Sequence, residues 1–271
     1  MQLFQIESYK MYTEQPEQSI FVPHAHDFFE LFCFLSGNAL YSVEGNIYSL
    51  SPGDIIVLRN AEMHYLILRK STPYMRFSIY FKPDHGLSRE DQAVLLAPFM
   101  DRSIGLYNHY QASQFRDRHW VYYLEQLCQT NEPLRQQIYL STILRELADC
   151  FPLVKENAAT LYTDNIIKVT HFIDSHLTQS LSLDEICDRF YISKAQLTRN
   201  FKRNLGTTVG DYIITKRLLL ARSMILDGQS PTNIYLQCGF HDYSAFFKAY
   251  KKKFGYTPKN TNKYFIDSEE I

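Results

Sequence analysis

Residues 182–206 read Ser-Leu-Asp-Glu-Ile-Cys-Asp-Arg-Phe-Tyr-Ile-Ser-Lys-Ala-Gln-Leu-Thr-Arg-Asn-Phe-Lys-Arg-Asn-Leu-Gly, and they contain the signals of two short helices. The opening serine, with Glu185 three residues later, forms a capping box that starts the first helix. Ser193 is typical of a helix N-cap, and Gly206 ends the helix that follows it. The stretch therefore predicts a helix, a tight turn at Tyr191 and a second helix.

The same signals recur in residues 230–255. Ser230 caps a helix whose first residue is a proline, and Asp242 caps a second helix that Gly255 ends. A helix, a tight turn and a capped helix make the helix-turn-helix pattern, which occurs here twice. Residues 209–226 between the copies have the spacing of one helix about 27 Å long. Such a spacer would hold the two second helices near one turn of DNA, about 34 Å, apart.

Each second helix combines an apolar face with a polar or basic face. Leu197 and Phe201 are spaced for burial in the first unit, as are Phe246 and Tyr250 in the second. Arg199 can bind guanine through two hydrogen bonds, and basic residues late on each helix suit phosphates. The candidate DNA-binding residues are Lys194, Ala195, Gln196, Thr198, Arg199, Lys202, Tyr243, Ser244, Phe247, Lys248 and Lys251.

Charge divides the chain in the same way. Residues 164–260 contain 14 Lys and Arg against 8 Asp and Glu, whereas residues 1–163 contain 13 against 18. Residues 261–271 form an acidic tail. A basic region beside an acidic one indicates a polyanion-facing domain, which we place at residues 164–260, with helix-turn-helix units at about 182–206 and 230–255.

The N-terminal part has a different pattern. Between residues 4 and 81, short runs rich in Tyr, Phe, Ile and Val alternate with turn signals. Tyr41 and Val43 share one face by period two, as do Ile55 and Val57. Residues 1–83 are therefore predicted to form a small antiparallel β-barrel or jelly roll.

Residues 84–154 change to helical spacing, and Pro133 fits the first turn of the last helix. These helices can pack on the barrel or present an apolar stripe to a second copy of the chain. We expect a homodimer, with residues 84–154 as its dimerisation segment. The polar stretch 155–163 is the predicted linker.

A group of polar and aromatic side chains in the barrel forms a candidate effector site. His24 and His26 would share one face of a strand with Glu30, and His64 could approach from a neighbouring strand. Three imidazoles and a carboxylate would suit Mn, Fe, Ni or Cu, but they could equally contact a small molecule or satisfy one another. We expect no metal and no cofactor. The candidate ligand-binding residues are His24, His26, Glu30, Tyr41, His64 and Tyr80.

Residues 164–260 resemble the DNA-binding domain of AraC-type transcription regulators. The matching motifs are Leu181–Ile186, Ser193, Leu197–Lys202, Gly206, Tyr212, Arg217-Leu218, Ala221, Gly239–Ser244, Phe246 and Phe254–Pro258. The resemblance implies that Ala195, Thr198 and Arg199 read bases in the first unit. In the second unit it implies that Tyr243, Ser244, Phe247 and Lys248 do so.

The run His24-x-His26, Glu30 and Gly37 resembles the first motif of the cupin superfamily, and the barrel resembles the sensing and dimerisation region of the same regulators. The second cupin motif departs, because Pro52 is followed directly by Gly53 and the gap to His64 is long. The implied fold is α+β and multidomain: a cupin-like jelly-roll barrel with flanking helices, then an all-α double helix-turn-helix domain. The implied function is a sequence-specific DNA-binding regulator, an activator, which senses a small molecule such as a sugar. Double-stranded DNA is the implied partner, and RNA polymerase is a further candidate.

The second unit departs from the family pattern. Tyr235 stands where a small residue is usual, and Pro231-Thr-Asn replaces a hydrophobic-x-acidic pattern. We therefore expect a repacked second unit. The aromatic Tyr243 and Phe247 predict a looser sequence preference there.

Other classes of protein are less consistent with the sequence. It has no apolar run of about 18 residues and no secretory signal pattern at its start, so we expect a cytoplasmic protein without a membrane span. Its five scattered cysteines fit reduced thiols. No Gly-rich phosphate loop or nucleophile elbow is evident, so we expect no enzyme. The alternatives are a metal-dependent cupin enzyme and a protein-binding helical adaptor.

Overall fold

A computed structural model describes residues 4–14, 23–68, 74–83, 88–115, 119–158 and 165–261. The chain forms two compact units, one of residues 1–22 with 28–163 and the other of residues 23–27 with 164–271. None of the helices in the described ranges is long and apolar enough to cross a membrane. The predicted acidic tail lies outside the described residues, apart from Thr261.

Two antiparallel sheets form the first unit, as the period-two pattern predicts. The five-stranded sheet has the order β1-β7-β2-β5-β8, and the three-stranded sheet has the order β4-β3-β6. The strands are β1 (Phe4–Glu14), β2 (Phe29–Ser36), β3 (Ala39–Val43), β4 (Asn46–Ser49), β5 (Ile55–Leu58), β6 (His64–Leu68), β7 (Tyr74–Pro83) and β8 (His109–Tyr110). Strand β8 lies within the segment predicted to be helical, and two residues are too few to show a period.

Alternating side chains of these strands enter two different cores. Phe32 and Tyr41 belong to a core cluster that draws on both sheets, whereas Leu31 and Ile79 belong to a cluster that includes residues of the helices. Trp120 is fully buried in this second cluster. The helices are α1 (Arg89–Leu95), α2 (Ala97–Met100), α3 (His119–Gln129) and α4 (Pro133–Ala158). Most of the flanking apolar residues therefore stabilise the barrel by packing on it.

Helix α4 begins at Pro133, as predicted, but it continues to Ala158. The first four residues of the predicted linker are therefore helical. Residues 159–164, the rest of that stretch with the first residue of the next domain, lie outside the described residues.

The helices of the second unit have almost the predicted bounds. They are α5 (Asn165–Ser175), α6 (Leu183–Phe190), α7 (Lys194–Leu205), α8 (Val209–Leu226), α9 (Pro231–Gln237) and α10 (Tyr243–Phe254). This agreement has a local cause, because caps and αL glycines act on the residues beside them.

Candidate functional site

Helix α7 separates a buried face from an exposed one. Ser193 Oγ accepts a hydrogen bond from the backbone N–H of Gln196, and Gly206 ends the helix with a φ of +66°. Leu197 and Phe201 are buried, as predicted. The six candidate residues of this helix are all exposed: Lys194, Ala195, Gln196, Thr198, Arg199 and Lys202. The helix thus presents an amide, a hydroxyl and cations to solvent.

Two of these side chains already have partners. Lys194 Nζ lies 2.6 Å from Asp184 Oδ1 of α6, and this hydrogen-bonded carboxylate raises the pKa of the lysine. The Thr198 hydroxyl donates to the Lys194 carbonyl oxygen at 2.8 Å. Thr198 can therefore still offer DNA its methyl group and the lone pairs of its oxygen.

Helix α10 has the same construction with a different surface. Asp242 Oδ2 accepts from the Ala245 N–H at 2.6 Å, and Phe246 and Tyr250 are fully buried. Of the candidate residues, Ser244, Lys248 and Lys251 are exposed, whereas Tyr243 and Phe247 are half-buried. This face is therefore partly aromatic and apolar.

The unusual Tyr235 packs against the start of α10. Its ring meets the Tyr243 ring edge to face, with centroids 5.6 Å apart. Tyr243 also contacts Phe246 at 5.9 Å and Phe247 at 6.2 Å. Edge-to-face pairs stabilise such clusters. Tyr243 is consequently held among aromatic rings of α9 and α10.

One predicted cap is formed differently. Ser230 is the N-cap residue of α9, but no backbone N–H of the helix donates to its side chain. Its hydroxyl lies 2.9 Å from the Thr232 hydroxyl instead. The serine was identified correctly, but the predicted side-chain cap was wrong.

Helix α8 contains two interactions that its spacing did not predict. Lys216 is buried, with Nζ 3.5 Å from Asp174 Oδ1 of α5. Arg217 donates to the carbonyl oxygens of Leu177 and Gln179 at 2.9 and 2.7 Å. These interactions attach α5, and the turn that follows it, to α8. A cation in a helical pattern usually indicates exposure to solvent, so neither interaction could be predicted from local spacing.

In the first unit, four of the six candidate ligand residues lie close together. His64 Nε2 is 3.4 Å from Glu30 Oε2, and both side chains are almost completely buried. The Tyr41 ring stacks on the His64 ring at 6.1 Å, and Glu30 pairs with Tyr80 across β2 and β7. Burial raises the pKa of Tyr41, and the charge of Glu30 raises it further. The result is a buried carboxylate, imidazole and phenol, with the half-buried Tyr80 opposite Glu30 on the neighbouring strand.

The other two candidates, His24 and His26, precede strand β2 in the sequence. Strand β2 begins only at Phe29, so the prediction that His24 and His26 share a strand face with Glu30 was wrong. Both belong to the second compact unit, where their rings are 6.2 Å apart. Asp27 of the same segment forms an ion pair with Arg222, which helps to keep these residues out of the strand.

Comparison with known protein families identifies both parts of the chain. The AraC-like ligand binding domain matches residues 11–148, and a helix-turn-helix domain matches residues 186–264. The first match alone covers about half of the chain.

Two relatives found by sequence, RhaS and LumQ, agree with this assignment. The HTH-type transcriptional activator RhaS of Escherichia fergusonii is 26% identical over 252 residues, which cover 89% of this chain and 87% of that protein. The probable transcriptional regulator LumQ of Photobacterium leiognathi is 30% identical over 95 residues, 35% of this chain and 38% of that protein. Among solved structures, unsaturated fatty acid-bound ToxT of Vibrio cholerae matches with 14% identity and a TM-score of 0.40, covering 94% and 93% of the two chains. The chain belongs to the AraC family of transcription regulators, and it joins an effector-binding domain to a helix-turn-helix DNA-binding domain.

Proposed function

We propose that α7 and α10 read two successive major grooves, with α7 supplying most of the sequence specificity. The observation that carries this proposal is the exposure of Gln196, Thr198 and Arg199 on one surface of a helix whose opposite side is buried. In this proposal Arg199 binds guanine and Gln196 binds adenine, whereas Lys202 and Lys251, late on their helices, bind phosphates. We place this activity in the cytoplasm.

Binding over a salt series tests this function. The full-length chain is titrated with DNA from upstream of its own coding region and with random DNA between about 50 and 200 mM salt. We expect preference for one sequence together with a steep loss of affinity as salt rises. Equal affinity for both DNAs would contradict base reading, and the absence of a salt slope would favour the protein-binding adaptor.

We further propose that the barrel binds a small polar effector, such as a sugar, beside Glu30, Tyr41, His64 and Tyr80. The support is the buried Glu30–His64 pair, because an enclosed carboxylate and imidazole can replace the water around hydroxyl groups. The test is a panel of sugars: we measure thermal unfolding of the protein with each sugar, and the effect of each sugar on the affinity for DNA. At a hundred times its dissociation constant, an effector adds about 2.7 kcal/mol of stability.

The matched variants for the effector are Glu30→Gln and, as a control outside this group, Asp101→Asn on the exposed ion pair with Lys155. We expect Glu30→Gln to abolish the effector-induced rise in melting temperature and Asp101→Asn to keep it. An effector response that survives Glu30→Gln unchanged would place the binding site elsewhere.

A homodimer is the proposed assembly, with α4 at the interface. Leu134, Ile138 and Leu153 of this helix are each about half exposed, which is unusual for large apolar residues. Ile138→Asp should therefore shift the chain from dimer to monomer in sedimentation velocity. A wild-type monomer at micromolar concentration would refute the dimer.

RNA polymerase is the proposed protein partner, because an activator must raise its recruitment or its activity. In vitro transcription from DNA that carries the selected site tests this. Lower transcription in the presence of the regulator would identify a repressor instead.

A further inference from the structure

A short segment from the N-terminal half of the sequence belongs to the compact unit that contains the helix-turn-helix motifs. This segment, residues 23–27, is called the strap below. The region that resembles AraC-type regulators and the basic region both begin only near residue 164, so neither includes the strap. The DNA-binding unit is thus built from two distant parts of the sequence.

The beginning of the strap packs on the end of the first reading helix. Gly206 ends α7 in the left-handed region, with a φ of +66°. A Cβ atom at Gly206 would collide with Cγ of Pro23 and lie 3.3 Å from its Cδ. The proline ring therefore occupies the place of the missing side chain.

The end of the strap holds a largely buried ion pair. Asp27 Oδ1 accepts a hydrogen bond from Arg222 Nη1 of α8 at 2.6 Å, and the two side chains are 5% and 14% exposed. The Arg222 guanidinium also lies over the ring of Phe254, the last residue of α10, at 5.2 Å. Loss of one partner from such a pair is far more costly than loss of an exposed pair.

The strap therefore contacts the end of α7 through Pro23 and α8 through Asp27, and the Arg222 partner of Asp27 in turn lies on Phe254 at the end of α10. We propose that Asp27 is a positioning residue for DNA recognition. It fixes Arg222 against Phe254 and thereby fixes α10 relative to α7, so that both helices bind one duplex together. This inference rests on the proposed function of α7 and α10.

The experiment uses the full-length chain and a duplex that it selects from a random pool. A second duplex keeps the half-site read by α7 and has the other half-site scrambled. Asp27→Asn should weaken binding to the intact duplex about tenfold, the equivalent of about 1.4 kcal/mol, and leave binding to the scrambled duplex unchanged. The control, Asp101→Asn, breaks an exposed ion pair and should bind both duplexes as the wild type does.

The charge swap Asp27→Arg with Arg222→Asp should recover part of the lost affinity for the intact duplex. If Asp27→Asn does not fold, Asp27→Glu keeps the charge and should show a smaller loss, again for the intact duplex only. Equal losses of affinity for both duplexes would show that the ion pair has only a structural role. Tighter binding of the variant to DNA would show that the strap inhibits DNA binding. Either result overturns the proposal. Failure of the wild type to select any duplex would instead contradict the proposed function.

Discussion

The two helix-turn-helix motifs are built on one plan but present different chemistry to DNA. In each, the reading helix has an N-cap side chain, two buried aromatic or aliphatic residues four apart, and a terminal glycine. The exposed face of α7 is polar and basic, whereas the face of α10 includes the half-buried Tyr243 and Phe247. Positions that determine the fold are thus separate from the exposed positions that we propose read DNA.

The turns between the helices differ as well. In both, an N–H bonds back five residues to end the first helix: Ile192 to the Cys187 carbonyl at 3.1 Å, and Phe240 to the Tyr235 carbonyl at 3.0 Å. The left-handed residue before it is Tyr191 in the first motif and Gly239 in the second. Only the second motif uses the residue type that this conformation favours.

Substitution of these two turn residues should give the largest difference in stability. Gly239→Ala places a side chain at a φ of +83°, with Cβ 2.8 Å from the Leu177 carbonyl oxygen and 2.7 Å from Arg217 Nε. We expect a loss of at least about 2 kcal/mol in the free energy of unfolding. The matched variant Tyr191→Gly should lose nothing and gain up to about 1 kcal/mol.

Urea unfolding of both variants checks this contrast. A destabilised Tyr191→Gly would show that the exposed tyrosine makes a stabilising contact. An unaffected Gly239→Ala would show that the second turn can relax around a methyl group.

The next effect concerns the polar face of α7. Arg199→Ala should cost about 1–3 kcal/mol on the selected duplex and relax the preference at one base pair. Lys202→Ala should weaken binding to selected and random DNA by the same factor, and should reduce the salt slope by about 1. Titrations on both DNAs separate the two roles. Equal losses on both DNAs for Arg199→Ala would contradict its base-reading role.

The caps of the two motifs predict a smaller contrast. Ser193 accepts the Gln196 N–H, whereas the Ser230 hydroxyl pairs with Thr232. Ser193→Ala should therefore destabilise the protein by about 1 kcal/mol and Ser230→Ala by only a few tenths. Thermal unfolding measures both, and equal losses would show that Ser230 also caps its helix.

The smallest effect is expected on the aromatic face of α10. Phe247→Ala would remove the proposed contact of this ring with a thymine methyl group, so it should cost less than about 1 kcal/mol and leave the preferred sequence nearly unchanged. Competition between duplexes that differ at one base pair of this half-site measures it. A loss as large as that of Arg199→Ala would show that α10 reads bases as strongly as α7.

Local sequence signals predicted the helices of the second unit almost to the residue. Helix α8 spans Val209–Leu226, as its spacing indicated, and Asp242 and Gly255 bound α10. Such signals act within a few residues of themselves, so they can be read from one sequence. Period two likewise predicted the strands of the barrel.

Contacts between distant residues were not predictable in this way. The buried Lys216 pairs with Asp174 across 42 positions, and Asp27 pairs with Arg222 across 195. His24 and His26 looked like strand residues because their spacing has period two. Their segment is instead retained in the second unit by Pro23 and Asp27, whose partners no local pattern reveals.

Selection from a random duplex pool, with the wild type and with Arg199→Ala, tests whether α7 carries the sequence specificity. We expect two half-sites about 10 base pairs apart, one strongly specified and the other weakly specified. Arg199→Ala should flatten one position of the strong half-site and leave the weak one as it was. Two equally specified half-sites, or an unchanged motif in the variant, would contradict the claim that α7 carries the specificity.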